Sequence, residues 1–129
     1  MLDQTRANQL LDAMHGVTTL VATTTPIKIR LMTAIGSAAV NGTELASGGS
    51  YVALTGLSPL TMGAASAGSS SNSAISQTNM PAATITAIEV WDSAATPKRQ
   101  VWGYLTTART TVAGDTLSFA AAAITSALA

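Results

Sequence analysis

The chain is 129 residues long, contains no cysteine, and has a formal net charge of zero with only 9% of its residues charged. This length fits one domain with a single hydrophobic core, and the lack of cysteine excludes a disulfide framework, a thiolate nucleophile and a zinc ribbon. The balanced charge offers no attraction to nucleic acid or to an anionic membrane, so we expect neither as a partner.

The N-terminal segment, residues 3–15, is predicted to form a short amphipathic α-helix. Its apolar side chains recur at helical spacing along one stripe, which consists of Ala7, Leu10, Leu11 and Met14. Asp3 is suited to the N-cap position, and Gly16 to the left-handed residue that ends a helix. Such a stripe must pack against something, either the chain's own sheet or a neighbouring subunit.

The residues after the helix, 17–26, are predicted to form an extended arm, because they are rich in threonine and end at a proline. We expect the helix and the arm to contact neighbouring molecules, since an arm that becomes ordered on binding gains contact area. The predicted interface residues are Leu10, Leu11, Met14, Val21 and Tyr51.

Residues 27–33 form the clearest predicted β-strand, because apolar and basic side chains alternate along them. A loop with the turn dipeptide Asn41-Gly42 follows, and a second strand is predicted for residues 51–57. Residues 61–76 are of low complexity. They are predicted to form a surface loop that leads into an edge strand at residues 72–78.

Residues 84–119 contain both tryptophans and the only phenylalanine, so this stretch is predicted to build the core. A sugar-stacking platform formed by the two tryptophans is the less favoured interpretation. The strands predicted here and at the C-terminus cover residues 84–91, 99–106, 110–112, 117–119 and 119–129. The predicted core residues are Ile27, Ile29, Leu31, Trp91, Trp102, Leu117 and Phe119.

Short strands at roughly ten-residue spacing predict an all-β fold. We expect an antiparallel β-sandwich or open barrel of about seven to eight strands with one short N-terminal α-helix. A single domain is predicted to cover residues 1–129, with the helix at 1–16, the arm at 17–26 and the sandwich at 27–129.

The sequence predicts no catalytic, metal-binding or cofactor-binding residues, and hence no enzyme. The lone histidine, His15, has Asp12 one helical turn away, but no Gly-x-Ser-x-Gly motif supplies a nucleophile. The acidic residues are scattered and show no calcium-loop spacing. The basic pair Lys98-Arg99 is interpreted as the solvated tip of a hairpin.

The charged fraction lies far below the roughly 25% of ordinary soluble proteins, so the polar surface must consist of threonine, serine, asparagine and glutamine. One interpretation is an uncharged β-protein surface. The other is a surface largely covered by copies of the chain or by a partner, because interface centres are depleted of charge. We favour the second interpretation.

Several short motifs follow the N-terminal helix in a fixed order. They are Ile27-Lys-Ile-Arg-Leu31, Ser47-Gly-Gly-Ser-Tyr51, Gly63-Ala-Ala-Ser-Ala-Gly68, Ser71-Asn-Ser73, the strand from Ile85 to Asp92, Ser93-Ala-Ala-Thr96, Gly103-Tyr-Leu-Thr106 and Gly114-Asp-Thr-Leu-Ser-Phe119. This ordered set covers nearly the whole chain. It resembles a family of small β-sandwich virion proteins of tailed bacteriophages, whose members are labelled capsid decoration (cement), minor capsid or tail fibre proteins.

The resemblance implies a structural, non-enzymatic protein of the virion. It implies a capsid decoration (cement) protein that binds and stabilises the outer surface of the assembled head. The expected partners are then the major capsid protein and copies of the chain itself, arranged as a homotrimer. Such a protein is made in the host cytoplasm and ends on the outer capsid surface. The alternative is a tail fibre or baseplate-associated module that binds the host surface.

Overall fold

One α-helix precedes nine β-strands in the computed structural model, which describes residues 1–128. The helix is α1 (Gln4–Met14), and the strands are β1 (Ile27–Ala34), β2 (Thr43–Glu44), β3 (Leu57–Leu60), β4 (Ser69–Ser71), β5 (Ile75–Gln77), β6 (Ala83–Trp91), β7 (Arg99–Thr111), β8 (Leu117–Phe119) and β9 (Thr125–Ala127). Ala129, the last residue of the predicted domain and of the predicted terminal strand, lies outside the described residues. The prediction of an all-β fold with one N-terminal helix is confirmed.

α1 begins and ends at the capping residues that the sequence indicates. The carboxylate of Asp3 accepts a hydrogen bond from the Thr5 N–H at 2.9 Å, which satisfies one of the donors left free at a helix start. Gly16 follows the helix with φ of +72°, a conformation that glycine adopts without strain. Within residues 1–128 the structure contains no helix long and apolar enough to cross a membrane.

β1 and the β6–β7 hairpin form the centre of an antiparallel five-stranded sheet, the main sheet. The strand order is β2-β1-β6-β7, and β3 also pairs with β1. The Asp92 carboxylate holds the turn of the hairpin, because it accepts a hydrogen bond from the Lys98 N–H at 2.7 Å. The register shifts between Tyr104 and Arg109, where β7 contains more residues than the facing part of β6 and therefore bulges.

Two small antiparallel sheets, β4–β9 and β5–β8, complete a sandwich with the main sheet. They pair segments that lie far apart in the sequence, and β8 brings Leu117 and Phe119 into contact with the apolar side chains of β1 and β6. The core residues are Ile29, Leu31, Leu45, Tyr51, Leu57, Leu60, Met80, Ile85, Ile88, Val90, Leu117 and Phe119. No closed barrel forms in the described part of the chain.

The predicted core residues divide into two groups. Ile29, Leu31, Leu117 and Phe119 lie in the core, and Ile27 packs at its margin. Trp91 is also buried, as predicted, but outside this apolar cluster, and Trp102 is only half-buried, contrary to the prediction. Ile88 and Val90 point into the core, so Glu89 and Trp91 must point to the opposite face of β6. Trp91 is buried on that face, and Trp102, which pairs with Glu89, is half-buried there.

The predicted strand at residues 51–57 is wrong. Residues 53–55 form a turn that contains Leu54 at φ of 68°, followed by Gly56 at φ of 59°. The chain becomes a strand only at β3 (Leu57–Leu60). The predicted strands at residues 99–106 and 110–112 are instead one long strand, β7, because the bulge does not end its pairing with β6.

Candidate interaction site

Arg99 is the centre of an ion-pair cluster on the face of the main sheet that lies away from the core. Its guanidinium contacts the carboxylates of Glu89 at 2.8 Å and Asp3 at 2.9 Å, and the side chains of Arg99 and Glu89 are each only 2% exposed. It also donates to three backbone carbonyls between β1 and β2, those of Ser37, Ala38 and Val40. The interpretation of Arg99 as part of a solvated hairpin tip is therefore wrong.

The same cluster fixes the N-terminal segment to the sheet. Asp3 caps α1 and binds Arg99, and its N–H donates to the carbonyl of Gln100 at 3.0 Å. Arg6, also buried, donates to the side chain of Gln100 and to the carbonyl of Val21 in the arm. Buried polar contacts thus set the position of the start of the helix and of the arm.

Tyr51, a predicted interface residue, is buried in the core and only 1% exposed. Its hydroxyl accepts a hydrogen bond from the Leu31 N–H at 3.1 Å and donates one to Glu44 at 3.0 Å. Burial raises the pKa of the Tyr51 phenol, because removal from water disfavours the phenolate. We therefore correct this prediction: a neighbouring molecule cannot reach the side chain while the core is intact.

We expect Tyr51→Phe to lower the free energy of unfolding by about 1–3 kcal/mol, because the buried Leu31 N–H loses its acceptor. Tyr51 also makes stability depend on pH. Its raised pKa means that its contribution is complete below about pH 10, the ordinary pKa of tyrosine, and is lost as the pH rises further.

Urea unfolding at neutral and alkaline pH measures both effects. The wild type should lose more stability at alkaline pH than Tyr51→Phe does. Tyr104→Phe is the matched control, since Tyr104 is 67% exposed and should tolerate the change. Equal stability losses in the two variants would contradict a buried, hydrogen-bonded role for Tyr51.

Burial of charge leaves the surface even less charged than the composition suggests. Six of the twelve charged side chains are buried, namely Asp3, Arg6, Arg30, Glu89, Asp92 and Arg99. Large apolar side chains are exposed instead, and they include Leu11, Met14, Val17, Leu20, Val21, Val40, Val52, Leu54, Tyr104 and Val112. Few charges and exposed apolar side chains are typical of the centre of a protein interface.

The other predicted interface residues lie on or near the surface of the N-terminal segment. Leu10 is half-buried and lines a small pocket of about 240 Å³ together with Leu20 and Val21 of the arm. Leu11, Met14 and Val21 are exposed, so their side chains are available to another molecule. Their contact with a partner stays a prediction.

β7 is an edge strand, and most of its outer edge has no partner within residues 1–128. The N-terminus pairs with its beginning only, through the bridge of Leu2 to Val101 and a 2.8 Å hydrogen bond from the Trp102 N–H to the carbonyl of Met1. In the described chain, β7 beyond Trp102 pairs with β6 on one side, apart from its bulge between Tyr104 and Arg109, and with no strand on the other. Two features of this edge discourage pairing with a strand of another molecule, namely the bulge and the charge of Arg109. The edge contains no proline, which would discourage such pairing further.

An open groove of about 1080 Å³ runs beside this edge. β7 forms one side of it, at residues 100–107, and the C-terminal segment from Phe119 to Ser126 lies on another. Its apolar lining includes Ile27, Leu60, Met62, Ile88, Val90, Leu105 and Ile124. Arg109 is the one charged side chain among the described lining residues. No sequence motif indicated this groove, because it arises where distant segments meet.

The polar groups of the described chain show no arrangement that suggests chemistry. His15 is exposed at the end of α1. Among residues 1–128 no group of three or more histidine, cysteine, aspartate or glutamate side chains is placed to hold a metal ion. The buried carboxylates instead bind arginines and backbone groups.

Exposed apolar side chains, few surface charges and an open strand edge are typical of surfaces that bind other proteins. The chain belongs to the family described as podophage GP4 fiber I protein gp80, whose model matches residues 2–127. It is therefore a structural protein of a bacteriophage virion, as the resemblance predicted. Among curated proteins none matches the chain.

Proposed function

We propose that the chain is a subunit of a bacteriophage tail fibre, a non-enzymatic protein whose surface is largely covered by copies of itself and by other virion proteins. The description of its family as a fiber protein supports this function better than capsid decoration. The structural observation that supports a surface covered by other proteins is the distribution of charge. Half of the charged side chains are buried, while large apolar side chains are exposed.

Self-assembly is part of this proposal. The exposed apolar side chains of α1 and the arm, Leu11, Met14 and Val21, are its first candidate contacts. A free monomer would keep these side chains in water, and covering them in an assembly is favourable in proportion to the apolar area removed. A homotrimer remains the predicted oligomer, and sedimentation velocity of the purified chain measures it directly.

Attachment to the outer surface of the head, with the major capsid protein as partner, is the competing proposal. A capsid decoration protein also needs a surface with little charge, so the distribution of charge does not separate the two. The family description does favour the fibre. The location of the protein on the particle decides between them.

Gold-labelled antibodies against the purified protein, applied to intact virions and viewed by electron microscopy, give that location. We expect labels at the tail end of the particle. The matched control is the same antibody preparation depleted on the purified protein, which should label nothing. Labels spread evenly over the head would overturn the tail-fibre proposal in favour of capsid decoration.

A further inference from the structure

Arg30 is a buried cation that makes no hydrogen bond within the described chain. It lies opposite Glu89 in the register of β1 and β6, on the face of the main sheet away from the core, and its side chain is only 8% exposed. The guanidinium comes no closer than 3.9 Å to the carboxylate of Glu44, which is beyond hydrogen-bond distance. Of its nitrogens only Nε is fully enclosed, so the terminal nitrogens reach the surface. Because a buried charge without hydrogen bonds is costly, Arg30 is suited to an anion from outside the chain.

The ring of Trp91 fixes the guanidinium of Arg30 in place. Cζ of Arg30 lies 4.1 Å from the centroid of that ring. Trp91 is itself buried, and its Nε1–H donates to the carboxylate of Glu89 at 3.0 Å, which holds the ring in its orientation. A planar guanidinium that is already held on a ring loses little freedom on binding, and its parallel N–H groups match the two oxygens of a carboxylate. The preferred anion is therefore a carboxylate.

Exposed apolar side chains border Arg30. The turn of residues 52–56 contacts Glu44, whose carboxylate accepts a hydrogen bond from the Leu54 N–H at 2.8 Å. Val52 and Leu54 in this turn are 53% and 64% exposed. Leu54 also has φ of 68°, a strained conformation for leucine, and such strain clusters at binding sites. Arg30, Val52 and Leu54 together form a surface that we call the Arg30 patch, and a partner for it needs a carboxylate beside apolar side chains.

The exposed side of α1 has this combination. Asp12 is the one acidic side chain among residues 1–128 that neither accepts a hydrogen bond nor forms an ion pair. It is exposed, and its apolar neighbours Leu11 and Met14 are 51% and 70% exposed. The start of the helix is fixed to its own sheet through Asp3, so this side of α1 stays available to another molecule.

We propose that the Arg30 patch binds the exposed side of α1 from a second copy of this chain, with the Asp12 carboxylate on the Arg30 guanidinium and the apolar side chains of α1 on the turn of residues 52–56. The charges are complementary, because an unpaired carboxylate meets a cation that lacks a hydrogen-bond acceptor. α1 and the patch are different surfaces, so the contact is heterologous, and its repetition closes into a ring, as in the predicted homotrimer, or continues as an open chain. This inference rests on the proposed function only in that it takes the chain to assemble with itself.

A double-mutant cycle of self-association tests the charge pair in the purified full chain. Asp12→Asn and Arg30→Gln should each weaken association at least about tenfold in sedimentation equilibrium. The double variant should associate no more weakly than the single variants, because the second change removes a group that is already without its partner. Arg109→Gln removes the charge of an exposed arginine outside the Arg30 patch, and as the matched control it should leave association unchanged. Effects that multiply in the double variant would contradict the pair.

Cysteine cross-linking tests the same contact with the buried Arg30 left in place. The chain has no native cysteine, so one preparation carries Val52→Cys alone, and a second, tagged one carries Leu11→Cys or Met14→Cys. After mixing and treatment with a short thiol-specific cross-linker, we expect a heterodimer for at least one of the two α1 positions. The matched control is Val112→Cys, which is 66% exposed and follows β7. It should give no heterodimer with either α1 position.

The outcomes separate this inference from the proposed function. Cross-links between Val52→Cys and α1, together with coupled effects of Asp12→Asn and Arg30→Gln, support the contact. A lack of such cross-links, unchanged association of Asp12→Asn, or a wild-type chain that stays monomeric overturns the contact but leaves the labelling of virions unaffected. Labels on the head overturn the tail fibre but leave the cross-links standing.

Discussion

Arg99→Met is expected to lower the free energy of unfolding by about 3–5 kcal/mol, the largest effect of any change in a charged residue of this chain. The side chain of Glu89 is 2% exposed, and without Arg99 it is left as a buried carboxylate with no ion-pair partner. The carbonyls that receive hydrogen bonds from Arg99 also lose their donor, and Asp3 loses one of the contacts that tie α1 to the sheet.

Urea unfolding of the purified variant, followed by tryptophan fluorescence, measures this loss. Lys98→Met is the matched control, because Lys98 is exposed at the same hairpin and should change stability by no more than about 0.5 kcal/mol. The double variant Arg99→Met/Glu89→Gln should recover part of the loss, since Glu89, the more deeply buried of the two carboxylates that Arg99 pairs with, no longer leaves an unpaired charge. A loss below about 1 kcal/mol in Arg99→Met would contradict a structural role for the cluster.

The second large effect is expected from Gly56→Ala, with a loss of roughly 2–4 kcal/mol. Gly56 has φ of +59°, which alanine adopts only with strain. Its new Cβ atom would also collide with the backbone carbonyl of Ile29, a fully buried residue at the centre of β1. The backbone strain at residue 56 and the collision with Ile29 arise together. A shift of the turn alone or of β1 alone would therefore not remove both.

Gly103→Ala is the matched control for Gly56→Ala. Gly103 has an ordinary strand conformation and open space at its Cβ position, so alanine should be neutral or stabilise the isolated chain by up to about 1 kcal/mol. Thermal unfolding of both variants at low concentration, where association is minimal, gives the comparison. Similar melting temperatures for the two variants would contradict the account of Gly56.

The sequence predicted those parts of the fold that depend on residues close together in the chain, namely β1 and the ends of α1. The strict alternation of residues 27–33 defined β1, and Asp3 and Gly16 marked the ends of α1. Those signals depend on side chains within a few positions of each other, and a sequence displays them directly.

Features that depend on distant contacts were not predictable in the same way. Arg99 follows a hairpin turn, and nothing nearby in the sequence shows that Asp3 and the loop before β2 fold over it. Neighbouring residues of a strand such as Val90 and Trp91 point to opposite faces, but the sequence does not tell which face of β6 becomes the core. The groove likewise depends on the small sheets β4–β9 and β5–β8. In each of them, the two paired strands lie about fifty residues apart in the sequence.

The copy number of the chain in purified virions shows whether the chain is a fibre subunit. Quantitative mass spectrometry against labelled standards gives the ratio of this chain to the major capsid protein. For a fibre subunit we expect a small number of copies, far below the number of capsid subunits. A copy number comparable to that of the major capsid protein, or absence from the particle, would contradict it.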